Sequence, residues 1–193
     1  MGRDKALLPW PPAARGQTFL SAAIESLNDF SDMVIVVAGK NASDLAPVAY
    51  VNAAFLVKNP APERGQFSSL QIGLQEVLNR GRDAAIITLV DRPPVRPSTL
   101  QMLCEAFSAR AHDKWSIVPE YRGKHGHPVL VSREMIHAFC AAPATAIARA
   151  IEHQHQRHIE YVAVDDPAVT LNVDTPEDYA ALSSPASTVS NNS

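Results

Sequence analysis

Apolar residues fall along this chain in two rhythms. Short apolar runs at 33–38, 53–57, 84–90, 115–118, 128–131 and 159–164 read as strands. The run at 84–90 predicts a strand buried on both faces. Between these runs, apolar positions recur at helical spacing. Phe19, Leu20, Ala23, Ile24 and Leu27 mark a helix capped by Thr18. Leu70, Leu74, Val77 and Leu78 mark one that starts at Ser68 or Ser69, and Leu100, Leu103, Cys104 and Phe107 one capped by Ser98. Further helices fit 42–49, 133–140 and 145–154, and a last one starts at Pro176 and runs through Tyr179 and Leu182. Residues 1–12 do not read as a strand. Strands alternating with helices predict a three-layer α/β fold with a mostly parallel sheet. The run at 128–131 is the expected antiparallel member, because only a short loop precedes it. Residues 183–193 are rich in Ser and Asn without apolar periodicity, which predicts a disordered tail behind a domain at 1–182.

Composition narrows the classes. The chain has 193 residues and is 46% hydrophobic, enough for one full core. Its net charge of -3 provides no basic footprint, so nucleic acid is not an expected partner. No apolar run approaches the ~20 residues of a membrane span. The first residues are charged and interrupted by proline, unlike a secretory signal. Cys104 and Cys140 each sit in an apolar helical pattern and read as reduced and packed. Together these features predict a cytoplasmic protein.

The run at 84–90 ends at Asp91, and Pro93 and Pro94 then bar both helix and ladder. A carboxylate is thereby set at the carboxyl end of a central strand, where open α/β sheets bind ligands. A turn or helix-capping Asp would explain the same residue. Asp174 lies in Asn172-Val173-Asp174-Thr175-Pro176-Glu177. Helix initiation accounts for Thr175, Pro176 and Glu177, and leaves Asn172 and Asp174 unexplained. Two carboxylates from separate strand ends are what Mg²⁺ with phosphate ligands needs. Lys5 is either an exposed charge or a point charge for a triphosphate. Gly65-Gln66-Phe67-Ser68-Ser69 offers free backbone N–H groups at a helix start. His153, His155 and His158 read as a solvated helix end rather than a metal set. Gly123-Lys124-His125-Gly126-His127-Pro128 fits a hairpin loop or an anion-facing loop equally. No Gly-x-Ser-x-Gly and no Walker lysine motif is present.

Jointly, these segments resemble the MobA-like nucleotidyltransferases, and in particular their molybdenum-cofactor cytidylyltransferase branch. Met1-Gly2-Arg3-Asp4-Lys5-Ala6-Leu7-Leu8-Pro9 resembles the end of the nucleotide-binding signature. Gly65-Gln66-Phe67-Ser68-Ser69-Leu70 resembles the segment lining the nucleotide, and Val90-Asp91-Arg92-Pro93 the metal-binding Asp-x-Pro. Gly126-His127-Pro128-Val129-Leu130 and Asn172-Val173-Asp174-Thr175-Pro176-Glu177-Asp178-Tyr179 match later motifs in order. The resemblance implies a Rossmann-like sheet of the nucleotide-diphospho-sugar transferase type. It implies Mg²⁺-dependent transfer of a nucleoside monophosphate, expected to be CMP from CTP, to a phosphorylated acceptor such as molybdopterin, with loss of pyrophosphate. A sugar or polyol phosphate acceptor is the variant reading, and a non-catalytic binding or maturation partner the alternative of another class. By carry-over, Asp91 and Asp174 hold Mg²⁺ and Lys5 neutralises phosphate charge. Arg3, Lys5, Gln66, Ser68 and Ser69 bind nucleotide, and His127 faces the acceptor.

One departure stands out. Members of that family begin with a strand and a Leu-Ala-Ala-Gly-x-Ser-x-Arg loop before the Met-Gly at which this chain starts. The expectation is a truncated record, with a degenerate relative as the alternative, a sheet in which two strands lack a neighbour, and a base preference the remaining residues do not specify. Asn172 also stands where a variant of the later motif has Asp, which leaves open which oxygen holds metal.

Overall fold

The computed structural model describes residues 4–12, 16–143 and 145–182. Arg3 and the expected tail at 183–193 lie outside them. Two parallel strands come first: β1 (Ile35–Ala38) pairs with β2 (Phe55–Lys58), Ile35 opposite Phe55. Helix α1 (Phe19–Asn28) precedes them and α2 (Ala42–Val51) connects them. Helix α3 (Gln66–Asn79) then leads to β3 (Ala84–Ile87), and α4 (Pro97–Ala109) to β4 (Ser116–Tyr121). A tight turn through Arg122 and Gly123, both at positive φ, returns the chain as β5 (Lys124–His125) beside β4. Strand β6 (Val129–Ser132) inserts antiparallel between β3 and β4, and β7 (Ile159–Ala163) lies parallel to β4 on its other side. Helices α5 (Arg133–Ala141), α6 (Ala148–Gln154) and α7 (Pro176–Ala181) complete the chain.

Two apolar layers sandwich the strands. Leu20, Ile24, Val36, Leu45, Leu100, Leu103 and Leu130 fill one face, under α1, α2 and α4. Phe67, Leu74, Val118, Val131, Met135, Phe139 and Ile151 fill the other, under α3, α5 and α6. The expected three-layer α/β architecture is present. Its ladders are of both senses rather than mostly parallel, because β6 reverses between its neighbours and the β4–β5 hairpin adds a further antiparallel pair. The sheet is also divided: β1 and β3 do not pair, in line with the expectation that two strands lack a neighbour.

Some local expectations shift. Thr18 caps α1 through a reciprocal bond with Ser21, as the pattern predicts. Helix α4 begins at Pro97, not after Ser98, since Pro97 presets the first helical φ. Helix α3 begins at Gln66, before either serine, because Gly65 at φ 89° turns the chain directly into it. The strand predicted at 84–90 stops pairing at Ile87, and its residues are half-buried or exposed, since one edge faces no strand.

Candidate active site

Asp91 lies in the turn that follows β3. Its carbonyl accepts a bond from the Val173 N–H at 2.9 Å, so the loop carrying Asp174 is stitched by main chain to the turn carrying Asp91. Lys5 Nζ lies 3.3 Å from Asp174 Oδ1. Asn172 Nδ2 donates to the other oxygen of the same carboxylate at 2.5 Å. These contacts tie together residues from three distant parts of the sequence. The Asp91 Oδ1 atom is buried and has no hydrogen-bond partner among the described residues. An uncompensated buried carboxylate oxygen is costly, and a cation is what would relieve it.

Several bonds hold this arrangement. Asp4 Oδ1 caps the single turn Lys5–Leu7 by accepting from Ala6 N at 3.0 Å, and its other oxygen accepts from Asn41 Nδ2. Ala6 is buried beneath, so Lys5 is pinned on both flanks. Tyr179 Oη of α7 donates to Pro9 O at 2.8 Å. Thr175 caps α7, and Asp178 accepts from the backbone N–H of Asp174 and of Thr175. Those bonds, Thr175's first, hold the Asp178 carboxyl below the usual carboxylate range.

The expected nucleotide segment divides. Ser68 is buried, donating to Gly65 O and accepting from Asn59 Nδ2 at 2.9 Å, so its hydroxyl secures the turn and does not face open space. Gln66 is exposed and Ser69 half-buried. Both line a cavity of about 810 Å³ together with Asp91. His127 is half-buried; its N–H donates to Val169 O at 2.9 Å and its Nδ1 lies 3.4 Å from Ile87 O. Burial, and then the Arg92 guanidinium, push its ionisation below the ordinary histidine value; the Ile87 carbonyl and Asp91 oppose them. His127 is thus a neutral ring at neutral pH.

Two site residues escape the sequence reading. Asn59 is buried, with its amide on both Ser68 and Ser69 and its carbonyl oxygen on Ala61 N. In sequence it reads only as a strand stop before Pro60. Arg92 donates to Leu171 O at 3.2 Å and reaches Val169 O at 3.5 Å, bracing the loop that leads to Asp174. Its signal is its place inside Val90-Asp91-Arg92-Pro93. The histidines at 155 and 158 lie against Trp115, with His158 stacked on the indole at 3.8 Å between centroids. Cys104 and Cys140 are free, as expected.

Solved structures place this mixed α/β sheet in the nucleotide-diphospho-sugar transferase fold. Rv0371c from Mycobacterium tuberculosis H37Rv superimposes with a TM-score of 0.77 at 27% identity, over 94% of this chain and 89% of its own. A structure of Rv0371c in complex with manganese superimposes at 0.73 with 27% identity, over 94% and 92%. The chain belongs to the MobA-like NTP transferase domain family, which it matches over residues 1–159, and is a nucleotidyltransferase. The molybdenum cofactor cytidylyltransferase of Escherichia coli K12 is 25% identical over 182 residues, 93% of this chain and 86% of that relative. No helix among the described residues is long and apolar enough to cross a membrane.

Proposed function

We propose that this protein transfers CMP from CTP to a phosphorylated acceptor of the molybdopterin type, in the cytoplasm, and releases pyrophosphate. An acceptor phosphate oxygen attacks the α-phosphorus while the bond to pyrophosphate breaks. Such a displacement asks for in-line placement and charge neutralisation and needs no covalent nucleophile. The buried Oδ1 of Asp91, without a partner among the described residues and on a turn stitched to the loop that carries Asp174, supports the reading. Asp91 and Asp174 would hold a divalent cation, for which Mg²⁺ is the natural choice with phosphate ligands. That ion supplies charge neutralisation on the phosphates. Lys5 adds a fixed positive charge beside Asp174. Gln66 and Ser69 face the nucleotide, with Ser68 and Asn59 holding their turn. Neutral His127 meets the acceptor as a hydrogen-bonding ring and does not compete with the metal for phosphate charge.

The test is pyrophosphate release with each of the four NTPs, Mg²⁺ or Mn²⁺, and reduced pterin phosphate or a sugar phosphate as acceptor. CTP with the pterin acceptor is expected to turn over fastest. Asp91→Ala is expected to lower kcat by about a hundredfold or more. Unchanged turnover in that variant would remove the assigned site, and a preference for GTP would remove the cytidylyl assignment.

A further inference from the structure

Asp166 is 2% exposed and lies in the loop between β7 and α7. Three neutral donors hold its carboxylate. Oδ1 accepts from the Ala168 N–H at 3.1 Å and caps the single turn Pro167–Thr170. Oδ2 accepts from the Arg96 N–H and from Thr99 Oγ1, each at 2.8 Å, at the start of α4. A turn cap needs only the first of these bonds. Sinking a carboxylate this deep is costly unless its oxygens are bonded, and the cap alone does not account for the reach across to α4.

The ties on either side of Asp166 form a series. Arg96 meets the Asp166 carboxylate through its N–H and the Asp165 carbonyl through Nη1, at 3.0 Å. Arg92 meets the carbonyls of Val169 and Leu171. Asp91 C=O meets the Val173 N–H at 2.9 Å. Residues 91–96 thus lie antiparallel against residues 165–173, with Asp91 and Asp174 at one end and Asp166 at the other. Of the side chains that make these ties, only Asp166 and its donor Thr99 are buried. The arginine ties are open to water, and a single peptide bond is a weak lock. Pro93 and Pro94 stiffen the link from Arg96 back to Asp91, so a displacement at Arg96 carries to Asp91 instead of being absorbed.

We propose that Asp166 is a positioning residue: its buried carboxylate fixes the register of these two segments and so sets the spacing of Asp91 and Asp174. The same anchor holds the Pro167–Thr170 turn, whose Val169 carbonyl accepts from the His127 N–H at 2.9 Å. The metal side and the acceptor side of the site therefore hang on one clamp. The consequence for metal rests on the proposed sharing of one ion by Asp91 and Asp174; the clamp itself does not. A residue that merely supported the fold would loosen every element alike. A clamp loosens the far end of the series and leaves the sheet interior as it was.

The test uses the full chain and two variants. Asp166→Asn keeps the size of the side chain and turns one acceptor into a donor, so one arm of the clamp is lost. Thr99→Val removes a single bond and leaves the carboxylate in place. In Asp166→Asn the Val173 amide is expected to exchange about tenfold faster or more, while the amides of Ile117 and Val131, both fully buried, keep their rates. Titration with Mn²⁺ alone, followed by the EPR signal of the free ion, is expected to give a dissociation constant about tenfold higher. Thr99→Val is expected to move both readouts in the same direction by about threefold, and it decides alone if Asp166→Asn does not fold. Asp91→Ala is the control for the ion. If it binds Mn²⁺ as the wild type does, the shared-ion reading fails and Val173 exchange alone judges the clamp. Unchanged exchange at Val173 overturns the proposal, as does equal acceleration at Val173, Ile117 and Val131. So does wild-type Mn²⁺ affinity in Asp166→Asn where Asp91→Ala has lost it.

Discussion

Gly126 occupies a place that no larger residue can take. A Cβ there would stand 1.9 Å from Val169 O, the atom that also accepts from the His127 N–H. Gly126→Ala is thus expected to displace the Val169 turn and His127 together, lowering stability by about 2 kcal/mol or more in denaturant unfolding. His127 gives a pH signature. Its folded-state ionisation lies below the unfolded value of ~6.5. Between those two values the unfolded chain binds more protons, so stability rises with pH across that window. The contribution is complete above ~6.5 and is lost as pH falls through the folded value. Stability curves of the wild type and of His127→Gln are therefore expected to converge on acidification, and an imidazole proton titration by NMR locates the window.

At the scale of elements, α7 works as a mount for Asp174. Thr175 closes its first turn through Asp178, whose carboxylate also binds the Asp174 N–H. Thr175→Ala is expected to cost about 1 kcal/mol of stability and to raise the metal concentration needed for half-maximal turnover; matched unfolding and metal titrations check both. This cap, like that of α1, is legible in the sequence because a Thr stands immediately before the helical pattern. Starts set by backbone shape are harder to read: Ser98 and Ser68 or Ser69 look like caps, yet α4 starts at Pro97 and Gly65 turns the chain into α3. Strand β3 was expected to be longer and more buried, since an apolar run does not reveal that one neighbouring position is open. Residue type and turn context leave Lys5, Asp91 and Asp174 open to plain structural roles, and only the family resemblance favours them as a site. The bonds that join them cross the whole sequence, and local pattern carries no trace of them. Asn59 and Arg92 were missed for the same reason.

Across the whole molecule, the proposed site draws on early, central and late parts of the sequence. Lys5 comes from the first described turn, Asp91 from the strand end at the centre, and Asp174 from the entry to the last helix. If Asp91 and Asp174 serve one ion as proposed, they act as a unit. Asp91→Asn and Asp174→Asn are each expected to lower kcat by about a hundredfold, and the double variant by little more; single-turnover assays at saturating metal decide between this and multiplicative loss. The stitch between the two acidic turns, Val173 N–H to Asp91 C=O, is made of peptide units alone. A scan of side chains at position 173 would pass over it, since every amino acid but one brings the same donor. Proline is the exception, so laboratory evolution of this enzyme can rewrite the residues around the stitch and keep the spacing of its acids, provided proline stays out of position 173.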